Sequence, residues 1–216
     1  MLCGYRACYN ELPVCLNCAR RLYSMLRERC EACGKGVFEC DCPRVGNVKY
    51  LFFFGGLDSR RIIYGIKHRP DERIIEFFAE MLIHTAGISA KKFDALTYVP
   101  RRKRSVNLYG FDQSKAIAKA ISRKTGIPLV TILFHKGNRQ QKLLGMGERK
   151  KNIKDSYGLK YIPSEKYKKL LLVDDIVTTG ATLKGCAELL RENAANAVVP
   201  VAIAKTNFAL RKHIDF

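Results

Sequence analysis

The chain has no apolar run that approaches the roughly 18 residues needed to span a bilayer. Its opening stretch, MLCGYRACYN, lacks the charged-then-apolar pattern of an export signal. These absences argue against membrane insertion and export, and the expected compartment is the cytoplasm. Low-complexity tracts are missing too, and a hydrophobic share of 47% belongs to a folded globular protein rather than a disordered one. At 216 residues there is room for one sizeable core, or one core and a small satellite.

Acidic residues are the other shortage. Twenty Asp and Glu stand against 39 Lys and Arg, a formal charge of +19. Such a surplus repels itself unless a polyanion is near, which points to nucleic acid or phosphorylated metabolites. Anionic lipid fits least, because no long basic amphipathic helix is evident. The basic clusters are RRKR at Arg101–Arg104, ERKKNIK at Glu148–Lys154 and KYKK at Lys166–Lys169.

What the chain has in excess is cysteine, and eight of nine lie before residue 43. Cys15–Cys18 and Cys30–Cys33 have the C-x-x-C spacing with which a tight knuckle aims two thiolates at one metal. A disulfide framework is the alternative, and it needs an oxidising compartment to which nothing directs the chain. Two structural Zn2+ sites are therefore expected. Sequential pairing puts Cys3, Cys8, Cys15 and Cys18 on one ion, and Cys30, Cys33, Cys40 and Cys42 on the other, since six residues separate the halves of each quartet. The irregular Cys3–Cys8 and Cys40–Cys42 spacings leave full occupancy of both sites open. A head this short buries too little apolar surface to fold without metal. Cys186, alone on an expected helix, reads as an ordinary buried thiol.

After CPRVGNVK the pattern changes, giving a zinc-ribbon-like module over 1–48 and a second domain over 49–216. KYLFFFGG, FDALTYVP, KKLLLVDD and AVVPVAIA read as strands, with a weaker one near LVTILF. DSRRIIYGIKHRPD, DERIIEFFAEMLIHTAG, DQSKAIAKAISRKTG and TLKGCAELLREN read as helices, the third with an aspartate cap and a terminal glycine. Alternation at these lengths means an α/β fold: a parallel sheet flanked by helices on both faces.

One stretch carries chemistry, LLLVDDIVTTGATL from Leu170 to Leu183. In open α/β sheets ligands bind at the carboxyl ends of the strands. The N–H groups of a helix start, with hydroxyls from Thr178, Thr179 and Thr182, make a phosphate cradle, and Gly180 lets the backbone approach closely. Asp174 and Asp175 repel a phosphate but suit a vicinal diol, which donates two hydrogen bonds. A sugar phosphate with free 2′ and 3′ hydroxyls satisfies both halves.

This stretch resembles the phosphoribosyl pyrophosphate (PRPP) motif of type I phosphoribosyltransferases. Together with the cysteine-rich head, IKHRPD, VPRRKRSVNLYGFDQS and RQQKLLGMGERKKNI, it is similar to the competence-protein F (ComF) family, a zinc ribbon before a phosphoribosyltransferase-like domain. The resemblance implies that Asp174 and Asp175 contact the ribose hydroxyls, and that Thr178, Thr179, Gly180, Ala181 and Thr182 bind the 5′-phosphate. It also implies that Arg101–Arg102 open a pyrophosphate loop and that Gln140–Lys151 form a loop closing over PRPP. YGFDQ departs from the family's Arg-Gly-Phe-Asn-Gln, with Tyr109 for arginine and Asp112 for asparagine.

The implied reaction displaces pyrophosphate at the ribose C1, with Mg2+ neutralising the leaving group and the protein supplying position and field. Asp175 is the candidate catalytic residue, as a base toward a nucleobase nitrogen. Two functions compete. One is a PRPP-binding protein of DNA uptake in natural transformation, with single-stranded DNA and other uptake proteins as partners. The other is a metabolic transferase acting on a nucleobase or related acceptor. The surplus of +19 favours the first.

Overall fold

The computed structural model describes residues 13–30, 33–36, 48–68, 71–102, 106, 108, 110–136 and 156–206. In chain order the elements are α1 (Leu16–Leu26), β1 (Lys49–Phe54), α2 (Leu57–His68), α3 (Glu72–Ala86), β2 (Ala95–Tyr98) and α4 (Gln113–Thr125), followed by β3 (Leu133–His135), β4 (Tyr157–Leu159), β5 (Tyr167–Val177), α5 (Ala181–Asn193) and β6 (Ala195–Thr206).

β1, β6, β5 and β2 lie side by side in that order, all parallel. The buried runs Leu170–Val173 and Val201–Ala204 explain the centre, since a parallel strand covered on both faces needs apolar residues of both parities. Pro200 sits in β6 opposite Leu172, one residue before β1 joins at Val201. Its missing N–H therefore falls where β6 has a neighbour on one side only.

Each face has its own core. One packs α2, α3 and α4 on the sheet through Ile63, Phe78, Ile117 and Ile121. The other packs α5 through Leu183, Cys186 and Leu190. Helices thus cover both faces, as expected. The first core also takes in Val14, Cys18, Leu22 and Met25, so the helix of the cysteine-rich head shares a core with β1 and α2. Cys30 packs separately against Tyr50 and Phe53 of β1.

The segment near LVTILF divides its pairing. Leu129 bridges to Leu96 at the sheet edge, while β3 turns away to pair antiparallel with β4. No described helix is long and apolar enough to cross a membrane.

Candidate functional site

β5 continues beyond the two aspartates to Val177, because β6 runs beside it and pairs Asp174 with Ala202 and Val177 with Lys205. β2 does not follow. Its last contacts are Tyr98 opposite Val173 and the Val99 N–H on the Val173 carbonyl, 2.9 Å. Among the described residues no strand pairs with that edge of β5 from Asp174 onward, and this crevice at the carboxyl end of the strands is where Asp174, Asp175 and Arg101 meet.

The two carboxylates have different partners, as expected of adjacent residues in a strand, which alternate in direction. Asp174 accepts a hydrogen bond from the Ser114 hydroxyl at 3.0 Å and from the Asp175 N–H at 2.9 Å. Burial raises its pKa well above the ordinary value, and the Asp175 charge raises it further, against the opposing hydrogen bonds. Asp175 instead pairs with Arg101, Oδ2 to Nη2, 3.1 Å, the side chains 14% and 19% exposed. Two residues assigned to opposite ends of one ligand thus hold each other.

Asp112 places Arg101. Its Oδ1 accepts the Lys115 N–H and caps α4, and its Oδ2 accepts the Arg101 N–H, each at 3.1 Å. Burial raises the Asp112 pKa, partly offset by these two N–H groups. An asparagine has one carbonyl oxygen and cannot accept both bonds through its side-chain ends, so the departure from the family pattern matches a use of the second oxygen. Asp112 is readable from sequence as a cap. Its hold on Arg101 and the role of Ser114 carry no sequence signal.

Arg102 points elsewhere, its Nε donating to His135 Nε2 at 3.3 Å. His135 sits edge-on to Tyr157, and burial, then the Arg102 charge, lowers its pKa. Burial raises the Tyr157 and Cys186 pKa values, with Asp174 adding to both. Cys186 remains protonated beneath the site.

Beyond Val177 the chain turns through Thr178 and Thr179, both exposed, to Gly180. Gly180 is the N-cap of α5 at φ +76°, a left-handed conformation that suits glycine, and no side chain caps the helix. No acidic residue occupies the first turn, so the N–H groups at the start of α5, with Ala181 and Thr182, keep the positive end of the helix dipole available to an anion. The Ala181 N–H donates to Thr179 Oγ1 at 3.4 Å.

Half of each predicted zinc quartet is described. Cys15 caps α1, its Sγ accepting the Cys18 N–H at 3.5 Å. Cys30 and Cys33 lie in a turn closed by Cys30 N–H on the Lys35 carbonyl, 2.8 Å, and Gly34 N–H on the Cys30 carbonyl, 2.7 Å, with Gly34 at φ +66°. An Arg29–Gly36 bridge flanks this turn. Both pairs suit thiolate ligation, the first by an N–H donated to sulfur and the second by a knuckle turn. Among the described residues no group of three or more potential ligands converges, so these two pairs do not make a joint site there. Cys3, Cys8, Cys40 and Cys42 lie outside the described residues, as do Arg104, Tyr109 and the predicted closing loop at Gln140–Lys151.

A family model described as the phosphoribosyl transferase domain matches residues 112–215, which include Asp112, Ser114 and the whole β5–α5 turn. Competence protein F of Haemophilus influenzae is 31% identical over 86 residues, 38% of this chain and 38% of that protein. DNA utilization protein YhgH of Escherichia coli is 30% identical over 115 residues, 52% of this chain and 50% of that one. Residues 112–215 thus match a phosphoribosyltransferase-type domain, and the chain is similar to competence protein F and YhgH. The matches span half or less of these relatives' lengths. Among solved structures, an adenine phosphoribosyltransferase aligns with the chain at TM-score 0.40 and 19% identity, over 67% of this chain and 75% of that one.

Proposed function

We propose that this chain binds PRPP in the crevice between β2 and β5 and serves the handling of incoming DNA. The observation that carries the first half is the sequence of groups along one strand and turn. Two carboxylates stand at the carboxyl end of β5, followed at once by a glycine-led helix start whose N-cap has no side chain. The 5′-phosphate would lie on the Thr178–Thr182 turn, and the ribose diol would donate to Asp174 and Asp175. Arg101 would leave Asp175 for the pyrophosphate. Binding is then an exchange: one charge-assisted bond inside the protein is replaced by several to the ligand.

Mg2+, bound with PRPP, would neutralise the leaving pyrophosphate. The chain's own residues orient the sugar, while Asp175, once released, is the available base. Structural Zn2+ on the cysteine pairs would tie the head together. The DNA half of the proposal is supported by the charge of +19 and by the names of the two relatives.

Calorimetry with PRPP in the presence and absence of Mg2+ tests the small-molecule half. Wild type should bind with Mg2+ dependence, and the Asp174→Asn/Asp175→Asn double variant should bind far more weakly, since each charge-assisted bond contributes about 1.5–3 kcal/mol. Equal affinity in the two proteins sinks the assignment. Pyrophosphate release with a panel of nucleobases then separates turnover from binding alone.

A further inference from the structure

α1 and α2 share a spacing that the PRPP site does not use. LNCARRLY and LDSRRIIY both place leucine, arginine and tyrosine at positions one, five and eight. On a helix that spacing is a single stripe. Leu16, Arg20, Tyr23 and Arg27 are exposed along α1 and its C-cap, and Leu57, Arg61 and Tyr64 along α2. Tyr23 is 61% and Tyr64 63% exposed. Four of the seven exposed large hydrophobic residues described lie on these two helices. Arg21 of α1 and Asp58 of α2 form an ion pair, each adjacent in sequence to a stripe residue, so both stripes border one junction.

The charge on this surface is unlike that on the other helix pair. Where α3 meets α4, Arg123 pairs with Glu72 and Glu76, and Lys124 with Glu80. α1 holds no acidic residue, and the single one in α2, Asp58, is taken by Arg21. Arg20, Arg27 and Arg61 therefore have no carboxylate on either helix to neutralise them. Arg27 lies over the Tyr23 ring, 5.4 Å from its centroid, which joins the cationic and aromatic groups in one unit.

Exposed tyrosines would be a poor choice for a purely electrostatic surface, and exposed arginines for a purely apolar one. A strand with a phosphate backbone and unstacked bases uses both: arginines take the phosphates and rings take the base faces. We propose that the outer stripes of α1 and α2 form a track for single-stranded nucleic acid, apart from the PRPP crevice. This rests on the nucleic-acid half of the function proposed above and is independent of the PRPP half.

The test measures binding of a labelled oligothymidine to the full chain by fluorescence anisotropy across a salt series. Variants are Tyr23→Ser/Tyr64→Ser and Arg20→Ser/Arg61→Ser, with Arg123→Ser as control and thermal melts to confirm folding. All these side chains are exposed, so folding should persist. The tyrosine variant should bind about tenfold or more weaker with an unchanged salt slope. In the arginine variant the log–log slope should flatten by about 0.7 for each phosphate no longer neutralised, and the control should match wild type. Wild type that fails to bind at low ionic strength overturns the nucleic-acid reading itself. Wild-type binding that all variants retain overturns this track and leaves DNA to the basic loops. Polyglutamate bound as tightly, with the same dependence on the tyrosines, makes the stripes a surface for acidic protein and overturns the assignment to nucleic acid.

Discussion

The crevice beside β5 and the outer face of α1 and α2 are both polar, in opposite ways. In the crevice the three carboxylates already have partners: Asp174 has Ser114, Asp175 has Arg101, and Asp112 has two backbone N–H groups. On the helices, Arg20, Arg27, Arg61 and the rings of Tyr23 and Tyr64 are exposed. Buried and satisfied polar groups select a ligand that can replace their bonds one for one, because an unpaired group left behind is costly. Exposed cations with rings hold any sequence of a polyanion and lose it as salt rises. The same chain thus presents a site suited to one small molecule and a surface suited to a polymer.

The largest effect should come from cutting α1 off its support. Leu22 is buried in the core shared with β1 and α2. Leu22→Ala should cost about 2–5 kcal/mol of global stability, read from the denaturant midpoint. A head that melts alone, with the main transition unmoved, would mean the helix face is energetically separate from the crevice domain.

The next effect sharpens the account of the crevice. In the fold Asp174 keeps its proton above the pH at which it ionises in the unfolded chain. The native state therefore binds more protons over that window, and stability falls as pH rises from the unfolded pKa through the raised folded one. Asp174→Asn should remove this fall and raise stability at neutral pH by about 0.5–2 kcal/mol, while PRPP binding weakens. A melting temperature that drops at neutral pH would contradict a carboxyl whose charged form is disfavoured by burial. The double-aspartate variant of the calorimetric test also loses the Arg101–Asp175 pair, so its melting temperature is read beside its affinity to separate weaker binding from unfolding.

A smaller effect belongs to Asp112. Asp112→Asn keeps an oxygen for the α4 cap but turns an amide toward the Arg101 N–H. PRPP affinity should fall about fivefold, corresponding to one neutral hydrogen bond of about 1 kcal/mol, with little change in helix content. Unchanged affinity would mean that the Arg101 segment is placed by other contacts.

Local chemistry was legible in the sequence and long-range pairing was not. The run Leu170–Val173 ending in two aspartates reads as a strand leading to a site, and the Asp112 cap and the Gly180 turn are read from residue type and position. The Arg101–Asp175 pair joins residues 74 apart. It depends on β2 lying beside β5, a neighbour relation that alternation of strands and helices leaves open. β4 is three residues long with a glycine in the middle, too short for any period. In the head, cysteine spacing dominates LNCARRLYSML, and the Leu16–Arg20–Tyr23 stripe becomes visible only once α1 is known to be a helix.

The central claim is that the β5–α5 edge is a PRPP site, and a crystal structure of the chain grown with PRPP and Mg2+ tests it most directly. The account predicts the 5′-phosphate within hydrogen-bond reach of the N–H groups at Thr179–Thr182, the ribose hydroxyls on Asp174 and Asp175, and Arg101 parted from Asp175. PRPP bound elsewhere, or an Arg101–Asp175 pair intact beneath a bound ligand, would contradict it.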